Sequence, residues 1–336
     1  MQPDYRITVD GNDISSKIKP RLISLSLDDK RGFESDSLEL QLDDSDGQLN
    51  LPRKGAAMSV KLGWKNAPLV DKGSYIIDEV SHSGPPDVLT IRGKSVNLRG
   101  SLQKLREQSW HGQTLQEIVN IIASRHQLTA KLSDTLAGQL IDHLDQANES
   151  DASFLTRMAQ QFDAIATVKA DNLLFMLAGQ ALSATGKALP ATTITRSSGD
   201  RHSFNVADRE SYSGVIAYWQ DNKSAKRTSV SSDGKQKEDK QVLLGDDDNV
   251  KILRHTYASK ENAQRAAKAE WQRLQRGKAK LQLTLAQGNP ALFPECPVTV
   301  SGFKTEIDQL AWLLVNVRHE IRDSGYTSQL EFEVKQ

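Results

Sequence analysis

The feature that most constrains this chain is a change in hydrophobic period along its length. The first hundred residues alternate: Ile23, Leu25 and Leu27 with Ser24 and Ser26, then Leu38, Leu40 and Leu42 with Glu39 and Gln41. Met58, Val60, Leu62 and Trp64 continue the pattern against Ser59, Lys61 and Gly63. A period of two places each apolar set on one face of a strand. Further strands are expected near Tyr75–Val80 and Val88–Arg92, with turns at Asp10-Gly11, Arg31-Gly32, Asp46-Gly47 and Gly84-Pro85-Pro86. One apolar and one polar face predict a sheet packed on a core, as a sandwich or small barrel.

The period then becomes helical. Thr114 to Glu117 reads as a capping box, followed by Leu115, Ile118, Val119 and Ile122 on one helical face. A second helix is expected after Asn148, with Phe154, Leu155, Met158 and Phe162 buried. A strand, a turn and a strand follow over Ala166–Leu177. Residues from about 180 to 210 read as a connection, and Val215–Trp219 as a strand. The stretch 221–248 is strongly polar and reads as a long loop. A strand over Val250–Tyr257 leads to a helix over 259–276, capped by Ser259, with Ala263, Ala267, Trp271 and Leu274 on its packing face. The chain closes in strands, where Leu281, Leu283, Leu285 and then Leu330, Phe332, Val334 alternate. The pattern is β-rich α+β: a β region over 1–100, an α+β insert over 101–195, and a second β region over 196–336.

Composition narrows the function. With 336 residues the chain has length for two or three domains. Lys plus Arg (43) balance Asp plus Glu (43), which argues against stable nucleic-acid binding through phosphates. The single cysteine, Cys296, excludes an intramolecular disulfide and a thiolate cluster. No secretion signal opens the chain and no apolar run is long enough to cross a bilayer, so folding in a reducing cytoplasm without membrane insertion is expected.

A search for chemistry returns no site. There is no G-x-S-x-G, no H-E-x-x-H and no G-x-G-x-x-G, and Gly186-Lys187 lacks the spacing of a phosphate loop. Asp43-Asp44-Ser45-Asp46-Gly47 and Asp246-Asp247-Asp248 lack calcium-ligand spacing and read as solvated turns. The seven histidines (82, 111, 126, 143, 202, 255, 319) are scattered and are expected to form no close pair, and the five tryptophans are spread out. The lysines of 223–240 are interrupted by Asp233, Glu238 and Asp239, as in a solvated loop or one ordered by a neighbouring subunit. Catalytic, cofactor and metal residues are expected to be none.

Asp4-Tyr5-Arg6-Ile7, Leu38–Leu51, Leu62-Gly63-Trp64 and Val70-Asp71-Lys72-Gly73 resemble the late control protein D family of contractile-tailed phages. So do Ile77–Pro86, Asn148-Glu149-Ser150-Asp151 with Phe154-Leu155, Gly288-Asn289-Pro290, Pro297–Phe303, and His319 to Gly325-Tyr326. The resemblance implies a structural baseplate hub, similar to the T-even phage hub and to the N-terminal part of valine-glycine-repeat spike proteins, and no enzyme. It further implies two β-barrel tube domains per chain, with the helix near the C-terminal barrel. A homotrimer would adapt a sixfold tail tube to a threefold spike, in contact with spike, tube and other baseplate proteins. The implied location is the virion baseplate, assembled in the host bacterial cytoplasm, with a channel through which DNA passage stays open. The alternatives are a hub of a contractile bacteriocin or type VI-like device, a tail-associated peptidoglycan hydrolase, and a carbohydrate-binding module.

Overall fold

The computed structural model describes residues 1–33, 36–95, 100–169, 171–206, 212–219, 241–246 and 248–335. The alternating segments form strands as the period predicts: Leu22–Lys30, Ser37–Asp43, Ala57–Trp64, Val70–Ser83 and Val88–Ser95 in the first β region, joined by Pro3–Val9. The second region supplies Ala279–Leu285, Pro297–Ser301, Trp312–Arg322 and Gly325–Val334.

These strands belong to one sheet of thirteen strands. The link is a seam between Leu22–Lys30 and Trp312–Arg322, which pair antiparallel from Ser24↔Arg322 to Lys30↔Asn316. At the seam both faces of the strand are covered. Ser24 and Ser26 are therefore buried along with Leu25 and Leu27, although alternation alone predicts them exposed. Two closed barrels were the expectation. Among the described residues the strand path is instead open, running from Gly199–Val206 to the short strand Asn12–Asp13 without a pairing that closes it.

Two cores lie along this sheet. The first holds Ile7, Leu25, Leu38, Leu40, Met58, Val60 and Ile77; the second holds Leu281, Leu283, Val298, Trp312, Leu314 and Phe332. The hairpin of Trp312–Arg322 and Gly325–Val334 serves both. Its Trp312 end fills the second core, while Ile321 and Tyr326 at its tip enter the first.

The insert has its own core of Trp110, Leu115, Ile118, Val119, Ile122, Phe154, Leu155, Met158, Leu173 and Phe175. Helix Leu115–Arg125 starts with the predicted capping box: the Thr114 amide donates to Glu117 Oε2 at 2.7 Å, and the Glu117 amide to Thr114 Oγ1 at 3.3 Å. Helix Asp151–Gln161 begins later than Asn148. The preceding strand Leu140–Ser150 runs on through a bulge, and the Ser150 hydroxyl caps the helix by accepting from the Ser153 amide. Strands Ala164–Lys169, Asn172–Leu177 and Thr129–Leu132 form a three-stranded sheet under the two helices.

Two further readings change. Within 180–210, Thr192–Thr195 and Gly199–Val206 are strands of the large sheet, where β-branched threonines and paired backbone outweigh a Ser- and Gly-rich composition. Within 221–248, residues 221–240 and 247 lie outside the described residues, but Gln241–Gly245 is a strand paired with Gly214–Trp219. Helix Lys260–Gly277 covers this small sheet, completed by Val250–Tyr257, more than it covers the second β core. Ala263 and Ala267 pack on Val215 and Ala217, and their small side chains permit the close approach. No described helix is long and apolar enough to cross a membrane.

Candidate functional site: the junction of the β regions and the insert

Four of the segments singled out in the sequence, around Trp64, Lys72, Gly288 and His319–Tyr326, converge where the two β regions meet. Trp64 donates its indole N–H to the Gly288 carbonyl at 3.0 Å and lies against the Tyr326 ring, with centroids 5.3 Å apart. Gly288 has no room for a side chain, because a Cβ there would sit 2.5 Å from the Tyr326 ring. The Asn289 amide donates to Ser328 Oγ at 3.1 Å. Ser328 Oγ and Tyr326 Oη each lie 2.9 Å from Nδ1 of fully buried His319. Burial holds the His319 imidazole well below its ordinary pKa, so it is neutral in the fold. Lys72 reaches across from the first region to donate to the Leu292 carbonyl at 3.0 Å, and burial pulls its pKa down to about 8.

A chain of charged side chains ties the insert to both β regions. Arg31 contacts Glu295 at 2.5 Å and Glu333 at 2.6 Å. Glu333 also contacts Arg276 Nε at 3.2 Å, and the Arg276 fork holds both carboxylate oxygens of Asp163. Glu295 Oε2 in turn accepts the Gly179 amide. Burial raises the Glu295 pKa, and Arg31 opposes that rise. Burial disfavours the Arg276 charge, but Asp163 and its neighbours more than offset it, and the net pKa is raised. Five segments far apart in the chain thereby meet through ion pairs: the turn after the seam strand, the insert, the helix, the 290s loop and the last strand.

A second ionic contact joins the insert to the seam. Lys169 Nζ lies 3.1 Å from Asp29 and 3.0 Å from Asp36. Burial, reinforced by Asp29, raises the Asp36 pKa against the pull of Lys169. Thr167 Oγ1 donates to the Gly32 carbonyl at 2.9 Å. These contacts border an open cleft of about 680 Å³ between the outer face of the insert sheet (Ile165, Leu174, Met176), the first β region and the 290s loop. A cleft of this size at a junction of domains falls within the range of ligand and peptide pockets.

Inside the insert, Asp151 is fully buried at the first turn of its helix. Arg106 (3.0 Å), Arg125 (3.3 Å), His126 (2.8 Å) and Gln146 (2.8 Å) surround its carboxylate. A carboxylate is favoured at a helix N-terminus, and two guanidinium groups balance its burial. That accounts for the Asn148–Asp151 motif in packing terms.

The acidic cluster at 43–47 is committed to a turn. Asp43 accepts from Ser45, Asp44 from the Leu49 amide, and Asp46 from both Arg21 guanidinium nitrogens. Cys296 is buried, and burial raises its thiol pKa to about 11, which makes it a packing residue. One expectation is overturned: His111 and His143, 32 positions apart, do form a close pair, with ring centroids 4.5 Å apart.

A profile of the phage tail baseplate hub (GPD) family matches residues 37–325. A probable baseplate hub protein of Escherichia phage 186 is 44% identical over 364 aligned residues, covering 100% of this chain and 94% of the relative. Among solved structures, a tail protein of Neisseria meningitidis MC58 superposes with a TM-score of 0.72 at 14% identity, over 99% of this chain and 97% of the other. An Escherichia coli type VI secretion component, described as structurally similar to the T4 tail proteins gp27 and gp5, superposes with a TM-score of 0.55 at 13% identity, over 100% and 77%. The junction is thus the interior of a β-rich tail-protein fold, and by kinship over its full length the chain belongs to the phage tail baseplate hub (GPD) family, a structural component of the virion tail and not an enzyme.

Proposed function

We propose that three copies of this chain close about a threefold axis, so that their two β regions alternate around a ring and present six β units to a sixfold tail tube. The opposite side of the ring meets a threefold spike. The observation that carries this reading is the seam: one continuous sheet holds two separate cores in a fixed relation within each chain. Residues 1–100 and 196–336, joined by the strand Thr192–Thr195, supply the two tube units, and the rest of the insert, from 101, stands outside them.

The action is mechanical. A hub that transmits contraction force needs bodies that do not slide, and the buried ion pairs of Arg31, Glu295, Glu333, Arg276 and Asp163 supply such a lock within the chain. Contacts between copies would use exposed strand edges. The outer edge of Gly199–Val206, where Val206 is 60% exposed, is unpaired among the described residues and available for pairing with a neighbour. Spike, tube and other baseplate proteins are the partners, and assembly takes place in the host cytoplasm. The central channel is left for DNA.

The phage relatives favour a phage tail over a bacteriocin or type VI-like device, and over a cell-wall hydrolase. The test is a mass measurement on the purified chain mixed with its spike. A complex holding three copies of the chain is expected, and a stable dimer contradicts the reading.

A further inference from the structure

The strands Leu105–Thr114 and Leu140–Ser150 pair with each other and, among the described residues, with no other strand. His111 and His143 are direct cross-strand partners on the solvent side of this ladder. Their rings lie 20° from parallel, and the two Nδ1 atoms stand 3.0 Å apart. Behind His143, Nε2 lies 3.1 Å from Asp145 Oδ2. Asp145 Oδ1 in turn accepts the Ser109 hydroxyl at 2.6 Å.

This arrangement sets a tautomer. Asp145 accepts the Ser109 hydroxyl through Oδ1 and faces His143 Nε2 through Oδ2, so both of its oxygens are placed as acceptors. Nε2 of His143 must then carry the hydrogen, and in the neutral ring Nδ1 is a bare lone pair aimed across the ladder. Without an ion, the 3.0 Å contact is a hydrogen bond donated by His111 Nδ1–H to that lone pair; moving the His111 hydrogen to Nε2, which has no partner among the described residues, bares a second Nδ1 beside the first. A carboxylate behind an imidazole, fixing which nitrogen is free, is the usual outer arrangement of a metal-binding histidine.

The spacing fits a single ion. Two nitrogens at the usual metal distance stand ~2.9 Å apart at a right angle and ~3.4 Å apart in a tetrahedron. The observed 3.0 Å lies between these. Imidazole nitrogen suits zinc, copper and nickel, whereas calcium and magnesium take oxygen. Among the described residues no third His, Cys, Asp or Glu completes a cluster here, so a bound ion would take water in its remaining positions.

We propose that His111 and His143 form a two-nitrogen site for a late divalent transition metal ion, with Asp145 as the positioning residue behind His143. The ion would clip together two strands that have no other sheet partner among the described residues. The site does not depend on the hub reading, and it tests the insert alone.

The experiment is calorimetric titration of the untagged full chain with CuCl2, NiCl2 and ZnCl2 near neutral pH, with MgCl2 as control. One site per chain is expected, with copper tightest and magnesium silent. His111→Ala and His143→Ala each remove it. Asp145→Asn weakens it by about tenfold, and Asp145→Glu restores it. These substitutions lie on the exposed ladder, so melting in EDTA should stay unchanged. Electron paramagnetic resonance of the copper-loaded chain should show coupling to two nitrogens. Failure to saturate with copper, binding that survives both histidine substitutions, or coupling to a single nitrogen would overturn the proposal.

Discussion

Arg276 and Asp163 meet through two parallel hydrogen bonds of 2.5 Å, with neither side chain more than 5% exposed. They are 113 positions apart and join the helix over the small sheet to the insert. Removing one partner of a buried pair strands the other charge. Arg276→Met should therefore destabilise the chain by roughly 3–5 kcal/mol in urea unfolding. The double variant Arg276→Met with Asp163→Leu should recover most of that loss, since an apolar pair of similar size replaces the charges.

Gly288 is pressed against Tyr326 at the meeting of the two β regions. Gly288→Ala should lower stability by roughly 1–3 kcal/mol, because the added methyl forces the ring out of place. Gly138→Ala is the control. Nothing lies within 4 Å of a Cβ there and its φ is ordinary, so a change within about 0.5 kcal/mol is expected in thermal melting.

How much of this was legible beforehand depends on the range of the interaction. Leu38–Leu40–Leu42 and Leu281–Leu283–Leu285 could be read as strands because the period of two is local. Thr114 and Glu117 could be read as a cap because both partners lie within one turn. The seam could not, since Leu27 and His319 are paired across almost the whole chain and neither flank hints at the other. Arg31, Glu295 and Asp163 look like any surface charges until the fold buries them. The same holds for His111 and His143, which only strand register brings face to face. Gln241–Gly245 went unread as a strand because its neighbours are polar and its two leucines are few. Trp64, Gly288 and Tyr326 stood within the family-like motifs, but their contact with one another was not visible there.

His319 makes stability depend on pH. Its folded pKa is well below the unfolded value near 6.5, so the unfolded chain binds a proton that the native chain refuses. The contribution is fully present above about pH 6.5 and is lost as pH falls, with a slope approaching ~1.4 kcal/mol per pH unit. Unfolding of wild type and His319→Phe should be compared across pH 5 to 8, taken as roughly spanning the histidine range. The variant should show the shallower slope below about pH 6.5.

Because one hairpin feeds both β cores, the two regions should unfold together. Leu27→Ala in the first core and Leu283→Ala in the second should each lower a shared transition, by roughly 2–5 kcal/mol. Tryptophan fluorescence and far-UV circular dichroism should give coincident curves for both variants. A first-core transition that moves while a second-core one stays would show that the seam does not couple them.

The most direct test of the hub reading is a cryo-electron microscopy reconstruction of the intact tail with this chain located at the junction of tube and spike. Three copies should form a closed ring, with the N- and C-terminal β regions alternating at six positions beneath the tube. Six copies, a single copy, or a ring in which only one β region of each chain meets the tube would contradict it.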